Sequence, residues 1–261
     1  MKKTLILIAA LLSGCTNPYA KFYQGMPDAR VRPGYVPSSE PVKIYSSNDI
    51  QQDARSLMVK GYLPVGESSF NAASNQASQS QLIFHANKIG AQLVLVKSAF
   101  SHTVSGALPL TVPNTATSYS SGTATAYGPG GSVTAYGSGT TTTYGSQTTM
   151  VPYTIQRYDF DAMYFVKAKP RVGFIAVAID NETRRKLGTN SGVRVDIVIE
   201  NSGAFENDVL PGDIVLKFND TKIQSVEHYS EMLSTYSGQS VTLTINRDGV
   251  EILKVLPFAR L

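Results

Sequence analysis

Apolar positions along this chain switch between helical and strand spacing, and each switch marks an element. Ile50, Ala54, Leu57 and Met58 recur on one helical face, with Asn48 or Asp49 as the cap and Gly61 as the stop. Tyr62, Leu63, Val65 and Phe70 then predict a strand interrupted at Pro64 and Gly66, and so an edge or bulged one. A polar run through Ser74 and Gln76 opens a second helix, with Leu82, Ala86 and Ile89 on one face and Gly90 at its end. Gln92 to Val96 and Ala162 to Val166 are runs of strand-forming apolar residues. This order predicts a small α+β domain over residues 45–169, with helices on one face of an antiparallel sheet.

Between the last two strands the pattern changes character. From Ser98 through Gln156 there is no Asp, Glu, Lys or Arg, and within that zone tyrosines 119, 127, 136 and 144 recur every eight or nine residues among Thr, Ser and Ala. Thr, Val and Tyr favour strands, and Gly128-Pro129-Gly130-Gly131 and Gly137-Ser138-Gly139 are turn material. Residues 106–152 are expected to form a protruding β-hairpin or meander. Two alternatives stay open: a disordered Gly/Ser/Thr-rich segment, or an uncharged adhesive surface for self-association, since its edges lack the Lys and Glu that keep strands from pairing.

Beyond Pro170 comes a third pattern. Val172 to Val177 opens it, a short helix spans Asn181 to Gly188, and strands run from Gly192 to Ile199 and from Asp213 to Asn219. Asn201-Ser202-Gly203-Ala204 and Leu210-Pro211-Gly212-Asp213 bound their connection. A helix from Ser225 to Tyr236 and a hairpin of Val241 to Asn246 and Glu251 to Leu256, turned at Arg247-Asp248-Gly249, complete it. This order, centred on Val209 to Asn219, resembles a bacterial PDZ domain of the kind attached to HtrA-type (high-temperature-requirement) serine proteases, over residues 170–261. The resemblance implies a β-rich, partly open barrel with two helices that binds the end of a partner chain as an added strand, backbone amides capturing its carboxylate. Mapped onto this sequence, Phe174, Ile175, Ala176 and Val177 take the place of the carboxylate-binding turn and its strand, the family having Gly where this chain has Ala176. Tyr229, Met232 and Leu233 on the later helix are candidates for the pocket of the partner's last side chain, although their spacing also fits core packing.

The beginning of the chain points to export. Lys2 and Lys3 precede an apolar run from Leu5 to Leu12, too short to span a bilayer. The single cysteine, Cys15, follows Leu12-Ser13-Gly14. That segment resembles the lipobox of bacterial lipoproteins, which implies removal of residues 1–14 and acylation of Cys15, a membrane anchor of lipid chains rather than a span. Thr16, where an Asp would favour inner-membrane retention, favours the outer membrane. With Pro18, Pro27, Pro33, Pro37 and Pro41, residues 15–44 are expected to form an extended tether. His85 to Val96 is similar to a pattern in small envelope lipoprotein domains and adds a fold without an activity.

Charge and chemistry narrow the function. The formal charge is +4, of which Lys2 and Lys3 leave with the leader, and no basic cluster beyond Arg184-Arg185-Lys186 offers a nucleic-acid face. Three scattered histidines and one cysteine supply neither a metal site nor a cofactor site. No nucleophile elbow, phosphate loop or HExxH helix is present, and Thr189-Asn190-Ser191-Gly192 lacks the flanking glycines of a reactive serine. Asp159 and Asp161 read as solvated residues at a strand start. The expectation is a non-enzymatic, lipid-anchored envelope adaptor binding a partner protein's C-terminus or exposed strand, with a structural or adhesive surface lipoprotein and an accessory subunit of an envelope protease as alternatives.

Overall fold

A computed structural model describes residues 17–259; the leader and Cys15 lie outside them. The proline-rich start is where sequence and structure first part. Asn17 accepts from the Tyr19 amide and caps a short helix, α1 (Pro18–Lys21), with Pro18 at its first position. The strand β1 (Tyr23–Gly25) pairs antiparallel with residues Gly66 to Ser68. Asp28 caps a single 3-10 turn at Ala29–Val31. Residues 34–36 bond to residues 167–169, and β2 (Lys43–Ser46) is hydrogen-bonded into a sheet. Described residues of the expected tether are thus part of the fold. Tyr19 and Ala29 carry that correction: both are buried, and Tyr19 meets Phe70 edge to face at 5.0 Å.

Helix α2 (Ile50–Val59) starts at Asp49, whose carboxylate accepts from the Gln51 and Gln52 amides. Strand β3 (Tyr62–Ala73) runs without the interruption expected at Pro64 and Gly66. Gly66 has a packing reason instead: a Cβ there would lie 2.5 Å from the Tyr23 hydroxyl, which donates to the Met26 and Val65 carbonyls. Helix α3 (Gln79–Ile89) begins with a reciprocal Ser78/Gln81 capping box and ends on Gly90 at φ 74°. Two long strands follow, β4 (Leu93–Gly128) and β5 (Gly131–Lys167).

The sheet order is β1-β3-β5-β4-β2, and β2 lies parallel to β4 with Lys43 opposite Leu93. It is therefore a mixed sheet, not the antiparallel one expected. The two helices also do not share a face. Ala54 of α2 packs with Leu93, Leu95 and Phe165, whereas Leu82, Ala86 and Ile89 of α3 pack with Val94, Tyr164 and Val166. Because neighbouring strand residues point to opposite faces, α2 covers one side and α3 the other. Leu93-Val94-Leu95, apolar without alternation, is the signature of a strand buried on both faces.

His85 lies on the α3 side of that core, 4 % exposed, edge-on to Tyr23 at 4.7 Å and Tyr164 at 5.3 Å. Neither ring nitrogen finds a hydrogen-bond partner among the described residues. Burial, and then the charge of Lys88, push its pKa below the ordinary 6.5. The unfolded chain therefore binds the proton more readily than the folded one, so this residue's share of stability is present above 6.5 and is lost as pH falls below it. The urea midpoint of the full chain is expected to decline from about pH 7 to about pH 5, and His85→Phe to flatten that slope. An equal slope in the variant would assign it to other groups.

Residues 102–157, the middle of the β4/β5 ribbon, form a compact unit of their own. Ser105 meets Thr154 at 3.5 Å, Thr111 meets Thr148 at 2.9 Å and Thr125 meets Thr134 at 3.0 Å, so a single register holds from base to turn. Odd-numbered residues of β4 consequently share a face with even-numbered residues of β5. That places Tyr119, Tyr127, Tyr136 and Tyr144 on one face with those threonines, all four more than 80 % exposed.

The C-terminal part is a second, open sheet. Its strands are β6 (Phe174–Ala178), β7 (Val193–Val198), β8 (Ile214–Phe218), β9 (Thr221–Lys222), β10 (Ser240–Arg247) and β11 (Val250–Pro257). The order is β11-β10-β8-β7-β6, with β9 beside β8. No barrel closes. Three helices accompany it rather than two: α4 (Asn181–Leu187), a single turn α5 (Gly203–Glu206) and α6 (Val226–Thr235). Each is capped from the sequence, by Asp180, Ser202 and Ser225. Val195, Val215, Leu243 and Ile245 are buried at its centre.

Candidate functional site

The expected recognition segment is the outermost strand of this sheet. Strand β6 pairs with β7 on one side only, Phe174 opposite Val198 and Ala178 opposite Val193. The register shifts after Ile175, which pairs with Ile197, while Ala176 pairs with Val195. Asp196 is therefore the extra residue of a bulge, and it accepts both nitrogens of Arg55 from α2, at 3.0 and 3.1 Å. The bulge thus presents Asp196 to α2. The other side of β6 faces helix α6.

Of the candidate residues, Phe174 and Tyr229 are core. Their rings stack at 5.6 Å, 15° from parallel, and both residues are buried. The Tyr229 hydroxyl is enclosed without a hydrogen-bond partner among the described residues, and burial pushes its pKa well above the ordinary value. Ile175, Ala176 and Val177 are partly exposed, as are Met232 and Leu233, which rest against the core from α6. Helical spacing alone could not separate Tyr229 from Met232 and Leu233, since all three lie on the buried side of one helix. Among the other candidates, Asp161 accepts from Ser69 at 2.7 Å and Asp159 from Asn71 at 2.6 Å, contacts that join β5 to β3.

The backbone turn lies before the segment the sequence pointed to. Ala176, at the place of a family glycine, sits inside the strand opposite Val195. The turn is built on Gly173, with φ 103° and Ser202 packed where a side chain would be: a Cβ would stand 2.1 Å from the Ser202 hydroxyl oxygen. The Arg171, Val172 and Gly173 carbonyls accept from the Ala259, Ala204 and Ile199 amides at 2.8–2.9 Å, and Gly173 also from the Ser202 hydroxyl at 3.0 Å. The Val172 and Gly173 amides meet no acceptor among the described residues. Val172 and Gly173 are both buried, and two adjacent amides without acceptors suit an anionic terminus that displaces what covers them. Val172-Gly173-Phe174, a glycine between apolar residues just before a strand, was the signal available in the sequence.

The motif at the centre of the sequence resemblance serves the fold. Gly212, at φ 99°, turns the chain so that Asp213 enters β8 buried. Its carboxylate accepts from the Leu210 amide and from Nε and a terminal nitrogen of Arg247, at 2.9, 2.7 and 2.8 Å. The Leu-Pro-Gly-Asp turn and the Arg-Asp-Gly turn are thus two halves of one ion pair. Asn219, at φ 51°, exchanges bonds with Thr242 and closes β8 onto β10.

Elsewhere, a cleft of about 810 Å³ is lined by Arg55, Val59, Ile197, Phe205 and Leu210, its Arg55 already paired. Among the described residues no group of three or more His, Cys, Asp or Glu is placed to hold a metal, and no helix is long and apolar enough to cross a membrane.

No curated protein matches this chain. Among solved structures it is similar to the HtrA-type protease AlgW with decapeptide, 17 % identical over 36 % of each chain with a TM-score of 0.30. It is also similar to the HtrA3 PDZ domain bound to a phage-derived ligand (FGRWV), 22 % identical over 33 % of this chain and 81 % of that one, with a TM-score of 0.30. The chain spans about a third of the length of the AlgW structure it matches, 36 %. The family profile for the PDZ domain matches residues 170–253, from the turn before β6 into β11. That stretch of the chain, with its edge strand, its capping helix and its Gly173 turn, is a PDZ domain.

Proposed function

We propose that this protein is a non-enzymatic, lipid-anchored adaptor of the bacterial cell envelope that captures the C-terminus or an exposed strand of a partner protein on β6. One observation carries the reading: β6 is an outermost strand with a helix alongside it, the arrangement PDZ domains use to add a peptide as a further strand. The peptide backbone pairs with Ile175 to Val177, its carboxylate takes the Val172 and Gly173 amides, and its last apolar side chain rests on Met232 and Leu233. Recognition of this kind needs no acid, base, metal or cofactor. Anchoring at Cys15 and an outer-membrane location are supported by the lipobox-like segment and Thr16.

The test is a titration of the full chain with labelled peptides ending in Val, Leu or Phe, each as free acid and as amide. Free acids are expected to bind, and amidation to weaken binding about tenfold or more, the worth of charge-assisted bonds to two amides. Leu233→Ser should weaken the free acids while circular dichroism shows the chain folded. Equal affinity of acid and amide would move recognition to an internal strand. No binding across the set would overturn the reading.

A further inference from the structure

The β4/β5 ribbon has two chemically different faces, and peptide capture accounts for neither. Opposite the hydroxyl face of threonines and tyrosines, the even residues of β4 and odd residues of β5 carry Val104, Leu108, Leu110, Val112, Val151 and Ile155, all between 37 % and 61 % exposed. Tyr153 lies across Gly106 on the same face, where a Cβ would be 2.6 Å from its hydroxyl. From Val104 to Val112 this apolar band rises about 27 Å at the strand spacing, close to the apolar band about 25 Å tall that girdles a membrane β-barrel. The positions between are Ser105, Ala107, Pro109 and Thr111 on β4 and Thr148, Met150, Pro152 and Thr154 on β5, and the whole zone from Ser98 through Gln156 is free of Asp, Glu, Lys and Arg. Over this depth one face is apolar and the other has hydroxyls above and below a patch of Ala107, Pro109, Met150 and Pro152, with Arg157 as the first charge at its lower end.

A lone ribbon cannot cross lipid. β4 and β5 run 36 and 37 residues against 3, 4 and 12 for β1, β2 and β3, so for most of their length each has, among the described residues, only the other as neighbour. Their outer edges carry rows of unpaired backbone groups, each costly in hydrocarbon. Closure needs more strands than this chain supplies. We propose that several copies of this chain pair their ribbons edge to edge into one membrane-crossing β-barrel, with the Leu108/Leu110 face against lipid and the threonine and tyrosine face lining a water-filled lumen.

The prolines limit where copies can pair. Pro109, Pro113 and Pro152 all fall on the lumen-facing positions, and a proline in a two-stranded ladder must turn its donor-less nitrogen away from its partner. They lie at the depth of the apolar band, where each removes one donor from an outer edge and leaves fewer bonds between copies. From Thr115 to Tyr127 and from Ser132 to Tyr144 the edges are free of proline, and there pairing between copies has its full set of donors.

The test uses the full chain reconstituted into phosphatidylethanolamine/phosphatidylglycerol vesicles holding a small dye, with mass photometry of the detergent-extracted protein. Dye release and a ring of several copies are expected. Leu110→Arg, which puts a charge on the lipid face, should lower release about tenfold or more. Thr111→Arg, one residue along on the lumen face, should keep the ring and the membrane insertion and shift the release from cationic toward anionic dyes. Tight vesicles with a monomeric protein would overturn the proposal, as would equal losses in the two variants, or an oligomer that forms in lipid-free buffer and leaks no dye. None of these readouts depends on whether β6 binds a peptide.

Discussion

Replacing Arg247 by Met is expected to destabilise the PDZ domain by about 3–5 kcal/mol, because it strands a buried carboxylate. Asp213 is 2 % exposed, and two of the three donors that satisfy it come from this one guanidinium. The same bonds, those to Asp213 first, hold the Arg247 pKa well above the ordinary arginine value, so the arginine is charged at every accessible pH. Asp208 adds little by comparison: its side chain is 65 % exposed where it meets Arg247 and Lys254, and water screens such a pair. Denaturant unfolding followed by circular dichroism measures the loss; the chain has no Trp to report it by fluorescence. The double variant Asp213→Asn with Arg247→Met should recover a large part of it, since an amide oxygen still accepts from Leu210 and no charge is left buried. A double variant as weak as the single one would mean that packing of the arginine stem, rather than the stranded charge, sets the cost.

Gly173→Val is expected to be the second severe substitution, and the one that also removes peptide binding. A Cβ at this position would overlap both Ser202 side-chain atoms, at 2.1 and 2.3 Å, and the backbone lies at φ 103°, where side chains are strained by about 1–3 kcal/mol before any clash. The turn must move, and with it the two free amides and the start of β6. Gly212→Ala provides the comparison. Its φ of 99° is nearly the same, but nothing lies within 4 Å of the added Cβ, so strain alone should remain, and peptide affinity should hold. Thermal unfolding and peptide titration on the two variants separate the effects; similar losses of affinity in both would mean that this turn does not seat the ligand.

Much of this architecture was legible because its causes are local. Asp49, Ser78, Gly90, Asp180 and Ser225 cap or stop their helices through bonds to residues at most four positions away. The strands and helices of the PDZ domain fall close to their expected limits for the same reason. The site was legible in outline: the segment from Phe174 to Val177 and the helix bearing Tyr229, Met232 and Leu233 do lie side by side. Which of these face a groove and which fill the core was not, since Phe174 and Tyr229 are buried by each other across more than fifty intervening residues. Gly173 was passed over because its need for glycine comes from Ser202, which chain order does not place against it.

The proline-rich start shows the same division. Proline density pointed to an extended tether, but Tyr23 lies in the space left by Gly66, and Tyr35 bridges to Ala168, contacts no local composition reveals. Likewise, helical spacing in α2 and α3 says that each buries one face and nothing about which side of the sheet receives it. By itself the sequence determined most helices and strands after residue 45 and several of their caps and stops, because those depend on backbone periodicity and on bonds between near neighbours. Only the tertiary structure decided the parallel pairing of β2, the helices on opposite faces, the inclusion of the proline-rich segment and the buried pair at Asp213. Each of these joins residues far apart in the chain, where closing the loop costs entropy that only a specific fit of side chains offsets.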